Sequence, residues 1–229
     1  MGIQTLFFDA AGTLFYLPKG VGWHYRDVAS RFGCTLEAES LSHAFRTVWK
    51  RMPPRPATQE PRTSDDKSWW FHLVMEVLKE CGGAKEALPR EEYFEALYTE
   101  FTKPGIWELF PEVREVLAAL SPRYRLGIIS NFDGRLRPIL ANLGISQLLD
   151  PIVISSEVGA DKPDSWIFQQ ALVQARCAAA QSIHVGDDPL ADWQGARDAG
   201  LRVFQLERPT NSLWDLAREL GVKPARSDG

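Results

Sequence analysis

Three cysteines, Cys34, Cys81 and Cys177, are too few and too widely spaced for a disulfide framework or a thiolate metal site. Their odd number predicts free thiols in a reducing, cytoplasmic setting. The start of the chain agrees, because residues 1–8 lack a basic leader and their apolar run is broken at once by Asp9. No apolar stretch approaches the roughly 20 residues that cross a bilayer. No long run of Lys or Arg occurs, and the formal net charge is -4. That balance argues against nucleic acid and against a membrane surface as partners, since both demand a basic patch. Internal repeats and long low-complexity tracts are also missing. What is present is an ordinary globular composition, 45% hydrophobic and 24% charged over 229 residues. That length is enough to bury a sizeable core in one large domain or two small ones.

Residues 3–8 form a short apolar run ending in Asp9-Ala10-Ala11-Gly12-Thr13, which reads as a buried strand followed by a tight turn. Four similar runs follow at 126–129, 152–154, 183–185 and 203–206. Stretches with helical spacing lie at 113–120, 136–143, 166–174 and 190–199, with Gly144 and Gly200 just past two of them, where helix C-terminal caps belong. Strands alternating with helices predict a parallel sheet covered on both faces. Residues 16–104 break this rhythm. They carry helical patterns at 21–32, 39–51, 68–81 and 90–101 and a Pro-rich polar loop at 52–66. The chain therefore reads as an α/β core, residues 1–15 and 105–229, interrupted by an all-helical cap from 16 to 104.

Open α/β sheets bind ligands at the carboxyl ends of their strands, and three polar clusters fall there. Asp9 follows the first run and suits a nucleophile toward phosphorus or a metal ligand, with a simple turn cap as the alternative. Gly12 and Thr13 form a turn whose N–H groups can face an anion. Ser130 and Asn131 follow the second run. They can hold phosphoryl oxygens or serve as an ordinary helix N-cap. Asp187 leaves the fourth run, and Asp192, five positions on, can fold back beside it. Paired carboxylates at a strand end suit Mg²⁺, a hard cation with oxygen ligands. Asp188 fits a solvated turn, and His184, inside the strand, fits core packing. Lys162 stands just before Pro163, read as the opening of a helix, where a fixed ammonium can serve both a phosphate and a buried Asp.

In this order, the clusters resemble the four motifs of the haloacid dehalogenase superfamily. Residues 9–14 are similar to its nucleophile loop, 126–131 to its Ser/Thr motif, Lys162-Pro163-Asp164 to its Lys motif, and 186–192 to its acidic metal motif, followed by Gly195-Ala196 and Ala199-Gly200. The inserted segment resembles a helical-bundle cap. Residues 45–51, Ser68-Trp69-Trp70 and 128–136 resemble a narrower branch, the hydrolase-domain-containing 3 and rhythmically expressed gene 2-like proteins.

The resemblance implies a Rossmann-like sheet of strand order 3-2-1-4-5. It also implies a Mg²⁺-dependent hydrolase acting on a small phosphorylated substrate through an aspartyl-phosphate on Asp9. Asp9, Asp187 and the Ala11 carbonyl would hold Mg²⁺, with Asp192 supporting it directly or through water. Lys162, Ser130 and Asn131 would hold the transferring oxygens. The chain would act as a monomer or homodimer.

One departure stands out. Phosphatases of the superfamily carry a second Asp two residues after the nucleophile as general acid, and here that position is Ala11. General acid catalysis contributes about 10²–10⁴-fold, so turnover is expected to be weak or selective, unless Tyr16, His24 or Lys50 supplies the proton. Dehalogenases carry Tyr at that position and use no metal, which the acidic motif opposes. Phosphonoacetaldehyde hydrolases carry Ala there but need a cap Lys for a Schiff base. Lys50 is a candidate by chain distance, though its neighbours do not resemble that family's. The remaining alternative is a regulatory module that binds phosphate esters with little turnover.

Overall fold

The computed structural model describes residues 2–82 and 88–223. Position 1 and positions 224–229 of the expected core, and 83–87 of the expected cap, lie outside the described residues. Contacts divide the chain into two units, Met1–Tyr16 with Pro56–Arg62 and Glu108–Gly229, and Leu17–Arg55 with Thr63–Trp107. The division differs from the expected one by up to three residues at the two crossings. The larger difference is residues 56–62, read as part of the cap, which belong with the sheet.

In the first unit, β1 (Thr5–Phe8) is followed by a two-residue strand β2 (Phe15–Tyr16). The helical unit contributes α1 (Val21–Ser30), α2 (Ala38–Arg51), α3 (Lys67–Glu80) and α4 (Arg90–Glu100). The chain then resumes with β3 (Glu108–Leu109), α5 (Val113–Leu120), β4 (Arg125–Ser130), α6 (Leu136–Asn142), β5 (Ile152–Ile154), α7 (Ser155–Val158) and α8 (Ser165–Ala175). It closes with β6 (Ser182–Gly186), a π-helical turn at Pro189–Gln194, α9 (Gly195–Asp198), β7 (Arg202–Gln205) and α10 (Leu213–Glu219).

The five long strands form one parallel sheet in the order β5-β4-β1-β6-β7, which is the expected 3-2-1-4-5 counted over the sheet strands. β1 lies at the centre and all four of its residues are buried. Side chains alternate between faces along a strand. Phe7 joins Ile129, Val153, Ile167 and Phe168 on one face, so Leu6 and Phe8, equally buried, fill the other. Both faces are covered, which is why each strand reads as a continuous apolar run instead of an alternating one.

The helical unit has its own core, in which Val28, Leu41, Val48, Leu73, Val77 and Leu97 meet from all four helices. The buried Tyr93 hydroxyl is satisfied by donating to the Tyr25 carbonyl at 3.1 Å. Phe45, Trp49, Trp69 and Trp70 form an aromatic group at the edge of this core, with Trp49 exposed. Among the described residues no helix is long and apolar enough to cross a membrane.

Candidate active site

Strand pairing gathers the predicted clusters. Phe8 is in register with Ile128 of β4 and Val185 of β6, and the Asp9 N–H donates to the Val185 carbonyl at 2.8 Å. The residues that leave β1, β4 and β6 are therefore neighbours at one sheet edge. Ligand oxygens of Asp9, Asp187 and Asp192 lie within 4.8 Å of one another.

Lys162 is the cation among them. Its Nζ lies 2.7 Å from Asp9 Oδ1 and 2.6 Å from Asp192 Oδ1, with the lysine side chain 2% exposed. The Ser130 hydroxyl donates to the same Asp9 Oδ1 at 3.2 Å. No hydrogen bond reaches Asp9 Oδ2 from the described residues, so that oxygen keeps its lone pairs. Burial, together with the charges of Asp192 and Asp187 and against the pull of Lys162, pushes the Asp9 carboxyl up to about 6. Burial works against the Lys162 ammonium too, but Asp192 and Asp9 outweigh it and hold the lysine above its ordinary range. Asp192 is also buried, yet Lys162 and His184 keep its carboxylate below the usual range.

Several residues make contacts that their sequence position did not announce. The Asn131 amide is committed to the Lys162 backbone, accepting from its N–H at 2.6 Å and donating to its carbonyl at 2.9 Å. It fixes the lysine backbone, and neither it nor Ser130 caps a helix, because α6 starts beyond Arg135. Thr13 is fully buried and its hydroxyl donates to Asp187 Oδ1 at 2.9 Å. Gly12 sits at φ +93, where any side chain is strained, and a Cβ there would stand 2.6 Å from Asp187 Oδ2 and displace the carboxylate. Both residues thus place Asp187. The Asp187 carboxyl is raised chiefly by desolvation, against the Thr13 hydrogen bond.

Asp192 accepts from the Asp188 N–H through Oδ2 at 3.0 Å, while Oδ1 faces His184 Nε2 at 2.9 Å and Lys162. Both of its oxygens have protein donors, and through Oδ1 it steadies Lys162. Asp188 is an N-cap, accepting from Leu190 and Ala191, not merely a solvated acid. Pro163 does not open a helix. Asp164 caps α8, accepting from the Trp166 N–H at 2.8 Å.

His184 is fully buried against the Phe168 ring, as core packing requires, but it also contacts Asp192. Burial lowers its pKa, so the ring is neutral, and the bond to a carboxylate requires Nε2 to carry the hydrogen. That role was hidden because a histidine within a strand gives no signal of its partner. Of the candidate proton donors, the Tyr16 hydroxyl points to Glu108. His24 is buried on α1, and Lys50 is exposed on α2.

The sequence matches the family described as haloacid dehalogenase-like hydrolase over residues 65–206. It is 32% identical over 211 residues, 90% of this chain and 83% of the relative, to the human haloacid dehalogenase-like hydrolase domain-containing protein 3. It is 35% identical over 178 residues, 75% of this chain and 67% of the relative, to a phosphoserine phosphatase of Thermus thermophilus. Among solved structures it superposes on the HAD-hydrolase YfnB of Bacillus subtilis, described as bound to magnesium, with TM-score 0.74 at 18% identity, covering 97% of this chain and 100% of that one. The chain belongs to the haloacid dehalogenase-like hydrolase family. Within it, the chain sits with the domain-containing protein 3 branch, the group that residues 45–51, Ser68-Trp69-Trp70 and 128–136 resemble.

Proposed function

We propose that this hydrolase cleaves small phosphorylated metabolites through an aspartyl-phosphate on Asp9, with Mg²⁺ as cofactor. One observation carries the reading: Asp9 presents a free Oδ2 while Lys162 and Ser130 hold its Oδ1. The similarity to a phosphoserine phosphatase supports a phosphate ester as substrate.

The donor set fits a hard divalent cation. Three carboxylates cluster beside one lysine, which leaves oxygen ligands and negative charge for a hard divalent cation. Asp9, Asp187 and the Ala11 carbonyl are the groups that would hold Mg²⁺, and the ion would neutralise charge on the transferring phosphoryl group. In the first displacement, Asp9 Oδ2 forms a bond to phosphorus while the bond from phosphorus to the leaving oxygen breaks. Its electron pair stays on that oxygen. Lys162 remains beside Asp9 as fixed positive charge. In the second, water attacks phosphorus, the bond to Asp9 breaks, and the water's proton passes to solvent, releasing inorganic phosphate and regenerating the carboxylate.

Ala11 offers no proton to the leaving oxygen, which supports slow or selective turnover. The same absence favours a second reading, a module that binds phosphate esters and barely hydrolyses them. Hydrolysis of p-nitrophenyl phosphate with and without Mg²⁺, beside Asp9→Asn, separates the two. Mg²⁺-dependent turnover abolished by Asp9→Asn supports the hydrolase, and binding of inorganic phosphate without turnover supports the module.

A further inference from the structure

We propose that residues 56–62 form a strap that positions Lys162, with Arg62 acting through Asp161. The proposal rests on the reading of Lys162 as a residue of the phosphoryl site.

This segment interrupts the helical unit in sequence, yet its contacts are with the sheet unit. Its neck is closed in the helical unit by the buried Arg55–Asp66 ion pair at 3.6 Å and by Trp69 Nε1 donating to the Pro53 carbonyl at 2.9 Å. Beyond the neck, the Thr58 and Gln59 N–H groups both donate to the Gly159 carbonyl, at 2.8 and 3.1 Å, and the Arg62 N–H donates to the Ser156 carbonyl at 2.8 Å. These bonds seat the strap on the stretch that runs from α7 to Lys162. Contact is close. A Cβ on Gly159 would lie 2.0 Å from the Glu60 carbonyl oxygen, and Gly159 has φ +69 besides, so only glycine lets the strap reach this position.

Arg62 then bonds to the residue before the lysine. Its side chain is 4% exposed. Both Nη atoms lie 3.1 Å from Asp161 Oδ1, and Nε donates to the Pro56 carbonyl at 3.0 Å. The guanidinium thereby ties the two ends of the strap together and holds Asp161 at once. Lys162 is consequently gripped from two sides, by Asn131 on its own backbone and by the strap through Asp161. Its Nζ has to meet Asp9 and Asp192 within 2.7 Å simultaneously, and a shift of the backbone carrying it would lose one of them. A misplacement of about 1 Å can cost about 10²-fold in rate.

The test compares the full chain with Arg62→Ala, Asp161→Asn and the double variant, using p-nitrophenyl phosphate and Mg²⁺. The expected result is a kcat lowered by on the order of 10–10²-fold with KM little changed, and a double variant no slower than the worse single one. Hydrogen exchange of amides 156–164 should quicken in each variant, a readout that needs no turnover. If Arg62→Ala does not fold, Asp161→Asn, which leaves the arginine in place, carries the test. Unchanged kcat, or multiplicative losses in the double variant, overturns the proposal, even if the melting temperature falls. A wild-type chain that hydrolyses nothing refutes the phosphatase reading instead. The strap is then judged by inorganic phosphate affinity and exchange, and unchanged values in Arg62→Ala overturn it.

Discussion

At the scale of single residues, the site is a balance of buried charge. Among the described residues Lys162 is the one ammonium beside three carboxylates, and it and its partner Asp192 are almost out of water. Removing one member of such a buried pair is typically worth about 3–5 kcal/mol, because the remaining charge is stranded. Lys162→Ala should therefore abolish turnover and also lower stability by roughly that amount in metal-free buffer at pH 7. The deficit should shrink as the pH falls, since the stranded carboxylates can take up protons in the variant. Urea unfolding of both proteins at pH 7 and pH 5 checks this, and an equally stable variant at pH 7 would show the lysine to be a surface group. Ala11 makes the second residue-scale prediction. Without an acid there, the leaving group departs largely as an anion, so aryl and acyl phosphates should react far faster than alkyl ones. Ala11→Asp should help alkyl phosphates most, by up to about 10²–10⁴-fold if the carboxyl reaches the leaving oxygen. Equal native rates for aryl and alkyl esters would mean that another group donates the proton.

At the scale of elements, much was written locally. The five sheet strands and seven of the helices, α1 to α6 and α8, carry continuous apolar runs or helical spacing, and their observed ends fall within about two residues of those patterns, whereas the helical pattern at 190–199 folds as the π-helical turn followed by the four-residue α9. What escaped was short or nonlocal. β2 and β3 are two residues each and exist only because they pair with one another across the whole insertion. α10 begins at a capping box, Ser212 with Asp215, that the apolar pattern did not point to. The strap at 56–62 lies in a Pro-rich polar tract without periodicity, and its partners are about a hundred residues away. The same holds for function. Asp9 and Asp187 announce themselves at strand ends and Lys162 by its place before Pro163, whereas the roles of Asn131, Thr13 and His184 depend on which backbone or carboxylate they meet.

Helix α1 offers an element-scale prediction of its own. His24 is 2% exposed between Trp23 and Phe101, and among the described residues neither ring nitrogen has a hydrogen-bond partner. Desolvation lowers its pKa against the attraction of Glu100. The unfolded chain, with a histidine pKa near 6.5, then binds more protons than the folded one. Stability from this group is full above about pH 6.5 and is lost as the pH falls below it, by at most about 1.4 kcal/mol per pH unit. His24→Leu should remove that part of the slope. The variant, measured against the native chain in urea, should gain relative stability between pH 7 and pH 5. A difference independent of pH would mean that the imidazole is not buried neutral.

For the molecule as a whole, the two units should answer differently to Mg²⁺. All three clustered carboxylates belong to the sheet unit, while the helical unit holds together through an apolar core of its own. A ligand that binds only the folded state adds about 2.7 kcal/mol at a hundred times its dissociation constant. For a chain of this size each kcal/mol moves a melting transition by about 2–4 °C. Saturating Mg²⁺ should accordingly raise the transition of the sheet unit by roughly 5–11 °C. Amide protection should rise at the carboxyl ends of β1 and β6, with little change in the α1–α4 core. Asp187→Asn should remove the shift without lowering the metal-free transition, because the native Asp187 carboxyl is raised by desolvation and sits beside like charge. The measurement is a pair of melts and exchange maps with Mg²⁺ or EDTA. Protection spread evenly over both units, or a shift that survives Asp187→Asn, would place the ion elsewhere and refute the assignment of Asp9 and Asp187.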